Sequence, residues 1–276
     1  MIFEAEGNKK VVREWLQKEN CFSNDLDKLY AKLLAISAIH NLRVKELGRI
    51  QEKPILLISP QMLTIYPKVL IAAGFHGDEP AGSWAILRFL EGLKEYPKYY
   101  NLSFLPLVNP TGFEHISRTN YLGQDPNRGY YHTESGKPET SEEGLVLLGQ
   151  LSKIKYLAQD IFISLHEDNE FARFYIYTFE TSDEPDLFSR MLHSAEHQFF
   201  EPHPDGPLEG STVKDGIIFK FCDGSFEDLL FHNGVPMTAC IETPGKFAIE
   251  KRINTNYFII QAVGQFILSL RKISPK

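Results

Sequence analysis

Along the chain, short apolar runs alternate with longer segments whose apolar positions repeat every three to four residues. Val12, Trp15 and Leu16, then Leu26, Leu29, Leu33 and Leu34, show the helical repeat and predict an N-terminal helical cap over residues 1–40. After it come ILLIS, VLIAAG, a helix from about Pro80 to Leu93, and LSFLPLV. This alternation of strand-length and helix-length segments predicts an α/β fold. Thr140 and Glu143 have the spacing of a capping box and predict the start of another helix, with the buried strands IFISL and FYIYTF following. From His203 to Gly234 the chain is rich in Gly, Pro and Asp and too long for a simple connection, which predicts a functional loop or flap. The strand MTACIE and a final amphipathic helix complete the pattern, with no internal repeat.

Composition narrows the function classes. Hydrophobic residues make up 43% of the 276 and charged residues 24%, the balance of an ordinary globular chain. Acidic residues outnumber basic ones 36 to 29, the net charge is -7, and no Lys/Arg run is present, so no nucleic-acid partner is expected. Cys21, Cys222 and Cys240 are odd in number and widely spaced, which implies neither a disulfide framework nor a C-x-x-C zinc site. The N-terminus turns charged before any apolar segment, and NYFIIQAVGQFILSL is interrupted by Gln261 and Gln265. The expectation is a cytoplasmic protein without a membrane partner.

Candidate chemistry gathers at strand ends. In IAAGFHGDEPAG a strand enters a glycine-flanked turn and then a helix, so that His76 and Glu79 can converge outside the sheet edge, where α/β sheets usually bind ligands. His166 ends the strand IFISL in the same way. Two histidines and one carboxylate form the three-ligand set of catalytic zinc, which leaves a fourth position for water whose pKa falls to about 7. One Zn2+ per chain is therefore expected at His76, Glu79 and His166. The segment VNPTGFEHISRTNYLGQDPNRGY supplies Arg128, whose guanidinium fork suits a substrate carboxylate, and Asn127, a neutral donor beside it. Arg118 suits developing charge on a scissile carbonyl, and Asp125 suits the second ring proton of a liganding histidine. In TACIETPG an apolar strand delivers Glu242, placed to act as general base and to pass the proton to a leaving amine.

Taken in order, the motifs between about Lys68 and Gly245 resemble the zinc carboxypeptidases of the carboxypeptidase A clan. The likeness includes short branches such as the murein-peptide carboxypeptidases and the succinylglutamate desuccinylase/aspartoacylase group. In that family an H-x-x-E pair and a distant histidine bind zinc, matching His76, Glu79 and His166. Its arginine and Asn-Arg pair resemble Arg118, Asn127 and Arg128, and its base resembles Glu242. The resemblance implies a single three-layer α/β/α domain, over residues 1–276, with a twisted mixed sheet. It also implies hydrolysis of an amide beside a free carboxylate in short peptides, with cell-wall peptides among the candidates. The alternatives are N-acyl amino-acid deacylation and a metal-containing binding protein without turnover. The larger family members contribute a tyrosine from a loop ahead of the base, but here no tyrosine lies between Tyr177 and Tyr257. That contact is expected to be absent or replaced, with His232 as one substitute. The acidic run HEDNE after His166 could favour amine-bearing substrates.

A competing zinc motif, HSAEH, occurs at His193, Glu196 and His197. The apolar face of its helix, Leu187, Phe188, Met191, Leu192, Ala195 and Phe199, leaves these three residues predicted on the solvent side.

Overall fold

The structure is a computed structural model and describes residues 24–130 and 139–273. Val12, Trp15 and Leu16 of the predicted cap lie outside the described residues. Its remainder is helix α1 (Leu26–Ile39), capped by Asp25, which accepts a hydrogen bond from the Lys28 amide at 2.9 Å. Leu26, Leu29, Leu33 and Ile36 are buried in the core beside Trp84, whereas Leu34 faces outward.

An antiparallel pair follows, β1 (Leu42–Ile50) and β2 (Lys53–Pro60). β1 forms one edge of the sheet and its sequence, LRVKELGRI, buries only Leu42, Leu47 and Ile50, so it carries no apolar run that marks it as a strand. Next come β3 (Lys68–Ala73), α2 (Ala81–Gly92), β4 (Asn101–Leu105) and α3 (Pro110–His115). Helices α4 (Glu142–Gly149) and α5 (Leu151–Leu157) lead into β5 (Ile161–Asp168), β6 (Tyr175–Glu180) and α6 (Leu187–Glu196). Helix α4 starts one residue later than the predicted capping box. Its cap is Ser141, whose Oγ accepts from Gly144 N at 3.0 Å, while Thr140 donates to the Gly129 carbonyl and Glu143 accepts from Asn120.

The segment read as one long loop is instead built from small elements: β7 (Gly206–Leu208), β8 (Ser211–Val213), β9 (Ile217–Phe219) and α7 (Phe226–His232). Its glycines serve the turns between them. β10 (Met237–Pro244) and the long helix α8 (Ile249–Ile273) complete the fold. Among the described residues, no helix is long and apolar enough to cross a membrane.

Eight strands form one mixed sheet in the order β1-β2-β4-β3-β5-β10-β6-β9, with β4, β3, β5 and β10 parallel at its centre. Side chains alternate across it. Val69, Ile71 and Ala73 of β3 enter the layer made by α1, α2, α6 and α8, while Leu70 and Ala72 enter the layer made by α4, α5 and α7. The expected three-layer α/β/α arrangement follows from this double-sided apolarity.

Candidate metal centre

Strand register builds the site. In the parallel ladder of β5 and β10, Glu242 pairs with His166 and Cys240 with Ser164. In the antiparallel ladder of β10 and β6, Glu242 pairs with Tyr175 and Cys240 with Tyr177. Since Ile163, Leu165, Ala239, Ile241 and Ile176 all enter the α8 layer, the alternate residues His166, Glu242 and Tyr175 form a row on the opposite face. Ser164, Cys240 and Tyr177 form the row beneath.

His76 arrives from the turn that ends β3. That turn is held by the segment after β4, where Val108 and Asn109 donate backbone hydrogen bonds to the Ala73 and Gly74 carbonyls at 3.1 and 2.8 Å. Asn109 also caps α3, accepting from Gly112 N. The two turns meet so closely that a Cβ on Gly77 would lie 1.8 Å from the Gly112 carbonyl carbon, which is why glycine follows His76. Glu79 stands just before α2, whose N-cap is Pro80.

The three predicted ligands converge. Glu79 Oε1 lies 2.7 Å from His76 Nδ1, Glu79 Oε2 lies 2.9 Å from His166 Nδ1, and the two Nδ1 atoms are 3.2 Å apart. All three residues are buried. The Glu167 amide donates to Glu79 Oε2 at 3.2 Å and fixes that carboxylate. Asp125 Oδ1 accepts from His76 Nε2 at 3.1 Å and from the Asn127 amide at 2.8 Å.

Electrostatics favour a cation between these groups. Burial works to lower the His76 pKa, but Glu79 and Asp125 outweigh it and push it up to about 9. For Glu79 burial works in the other direction and is overcome by His76 and His166, which hold its carboxyl well below the usual range. Asp125 is likewise held low, against its burial, by His76 and Arg118. Two imidazole nitrogens and a carboxylate, mutually within hydrogen-bond reach and out of water, are a donor set that fits zinc.

Around them lies a cavity of about 480 Å³ that includes Arg118, Asn127, Arg128 and Glu242 in its lining. Arg118 is half exposed at the rim and approaches Asp125 Oδ2 at 3.3 Å and Glu79 Oε1 at 3.5 Å. Arg128 donates to the Asn127 carbonyl at 2.9 Å and pairs with Asp223 at 3.0 Å. Asn127 is more deeply buried than a substrate-facing donor need be. Its amide nitrogen lies 3.4 Å from His166 Nε2 and 3.1 Å from Glu227 Oε2, and its oxygen accepts from Phe226 N. Burial raises the Glu242 carboxyl to about 8, opposed by His166 and reinforced by Glu79 and Asp168.

Several residues of the site were not found by reading the sequence. Glu227 is fully buried, accepts from Ser164 Oγ and Asn127, and has Oε1 3.9 Å from His166 Nε2. It stands behind His166 at ion-pair distance, whereas Asp125 is hydrogen-bonded to His76. Tyr175 and Tyr177 also line the cavity, so the lack of a tyrosine after Tyr177 does not leave the pocket without one; strand β6 supplies two. Tyr175 donates to Asp168 Oδ2 at 2.6 Å. His232 is not part of the lining and pairs with Asp228 instead. Within HEDNE the charges part company: Glu167 is paired with Arg252 and accepts from Ala81 N, while Asp168 and Glu170 line the cavity beside its rim.

HSAEH is not the solvent-facing trio expected from its helix. His197 is exposed and His193 partly so, but Glu196 is fully buried, and the three do not form a metal-holding cluster among the described residues. Glu196 falls on the i, i+4, i+8 row with Phe188 and Leu192, which places it inward.

Comparison with known proteins agrees with this geometry. Residues 65–198 match the succinylglutamate desuccinylase/aspartoacylase catalytic domain family. A provisionally designated metallopeptidase from Shewanella amazonensis SB2B is 36% identical with a TM-score of 0.82, over 88% of this chain and 94% of that one. Another from Shewanella denitrificans OS217 is 37% identical with a TM-score of 0.80, over 89% and 90%. Carboxypeptidase A from Helicoverpa armigera, at 15% identity, shares the fold with a TM-score of 0.65 over 97% of this chain and 81% of that one. No curated protein matches the chain. The chain therefore belongs to the family of these two Shewanella metallopeptidases and has the carboxypeptidase A fold.

Proposed function

We propose that this protein is a zinc-dependent hydrolase that cleaves the amide bond next to a free carboxylate in short peptides. The observation that carries the reading is the meeting of His76 Nδ1, Glu79 and His166 Nδ1 within 2.7 to 3.2 Å, with Glu242 beside His166 in the neighbouring strand. Zinc held by these three residues would supply a Lewis acid for the scissile carbonyl and for water. Asp125 fixes the His76 ring through Nε2, and Glu227 places a negative charge behind the His166 ring, 3.9 Å from its Nε2. Arg128 binds the substrate carboxylate, and Arg118 draws charge onto the carbonyl oxygen from the rim. Glu242 accepts the proton of the attacking water and delivers it to the leaving amine.

The cavity supports the peptide reading, since about 480 Å³ lined by Glu209, Phe221 and Asp223 extends beyond the three ligands and accommodates more than a small acyl group. The family match over residues 65–198 supports the second reading, release of an N-acyl group from an amino acid. Rates on dipeptides, murein peptides and N-acyl amino acids, measured side by side on the zinc-loaded protein, separate the two. Peptide turnover at least tenfold above acyl turnover is expected, and the reverse order would replace the first reading by the second. A binding protein without turnover would hydrolyse none of these.

A further inference from the structure

We propose that Cys222, Asp228 and His232 form a second transition-metal site, on the outer side of the cavity wall, for zinc or a similar borderline-soft divalent ion. A sulfur, a carboxylate oxygen and an imidazole nitrogen of these residues lie within 4.8 Å of one another. Thiolate, imidazole and carboxylate together are a donor set that selects zinc over magnesium or calcium.

Local structure explains the meeting. Asp228 and His232 are four residues apart on α7 and so share a face, with His232 Nδ1 2.9 Å from Asp228 Oδ1. The Asp228 carboxylate is fully buried and its other oxygen accepts from Gly224 N at 3.1 Å, so it is oriented before any ion arrives. Cys222 is returned to this face by the turn ahead of the helix. There Gly224 adopts φ +79°, a conformation open to glycine, and Ser225 N donates to Asp223 Oδ1 at 3.0 Å. Cys222 is exposed and the His232 side chain is half exposed, so an ion can enter from solvent. Binding replaces the thiol proton by the metal, the proton leaving to solvent. The same turn carries Asp223, the partner of Arg128, so an ion here would restrain the residue that holds that guanidinium.

The residues assigned to the first ion are two imidazoles and a carboxylate, and the sulfur beside them is Cys240, so a band that needs Cys222 and survives loss of Cys240 reports the second site. Titration of the full chain with Co2+ should give a near-ultraviolet thiolate-to-cobalt charge-transfer band. Cys222→Ser should abolish the band, and His232→Ala should weaken the affinity read from it at least tenfold. Cys240→Ser should leave it in place. Absence of the band in the unsubstituted protein, or its survival in Cys222→Ser, would overturn the proposal.

Discussion

Glu196 offers a sharp test, because the two zinc motifs of this chain make opposite demands on it. It is fully buried, and burial pushes its pKa from 4.5 up to about 8, only weakly opposed by the nearby Thr243 hydroxyl. The sign follows from proton linkage. Below the unfolded value both states hold the proton and the group contributes nothing. As pH rises from about 4.5 to about 8 the unfolded chain releases it while the folded chain keeps it, so stability falls across that window and then levels off. At about 1.4 kcal/mol per unit the full loss is about 5 kcal/mol. Glu196→Gln keeps the volume and removes the titration. Thermal melts of both proteins from pH 4 to 9 should show the variant gaining steadily on the parent, by roughly 10 °C at the alkaline end, with metal content unchanged. A difference that does not vary with pH would refute the burial argument, and loss of metal from the variant would restore HSAEH as the zinc site.

Other predictions concern the cavity. Asp125→Asn should weaken zinc affinity about 10- to 100-fold, as loss of a carboxylate behind a liganding histidine typically does, measured by competition with a chelator. Glu227→Gln should have a similar effect through His166; unchanged affinity would show that Glu227 serves packing alone. Arg128→Ala should raise KM for substrates with a free terminal carboxylate far more than for their amides, and equal changes would remove its assigned role. Asp168→Asn removes a negative charge that raises the Glu242 pKa, so the acidic limb of the kcat/KM profile should move to lower pH. The same variant should weaken any preference for amine-bearing over N-acetylated substrates, because Asp168 lines the cavity.

What was legible in the sequence was local. Apolar runs mark the central strands, and the first polar residues after them, His76 and His166, therefore mark the sheet edge where the ligands meet. Glu242 was legible for the same reason, at the end of MTACI. The residues that escaped depend on pairings between distant segments. Tyr175 enters the site only because β6 pairs with β10 in the register that sets it beside Glu242, and nothing within FYIYTF specifies that register. Glu227 sits in a short helix inside a glycine-rich stretch, where a glutamate after a serine cap reads as an ordinary first-turn charge. Its burial comes from Ser164 and Asn127, more than sixty residues away in sequence. Glu196 differs from expectation for another reason: it shares the row of Phe188 and Leu192, so it falls at the border of the apolar face and turns inward with it.

The central claim is that His76, Glu79 and His166 hold one catalytic zinc ion beside Glu242. Anomalous diffraction at the zinc edge from crystals of the zinc-loaded protein tests it most directly. The account predicts a strong peak bounded by the Nδ1 atoms of His76 and His166 and the Glu79 carboxylate, facing Glu242. A map without a peak among those three side chains, in crystals that hold zinc elsewhere, would contradict it.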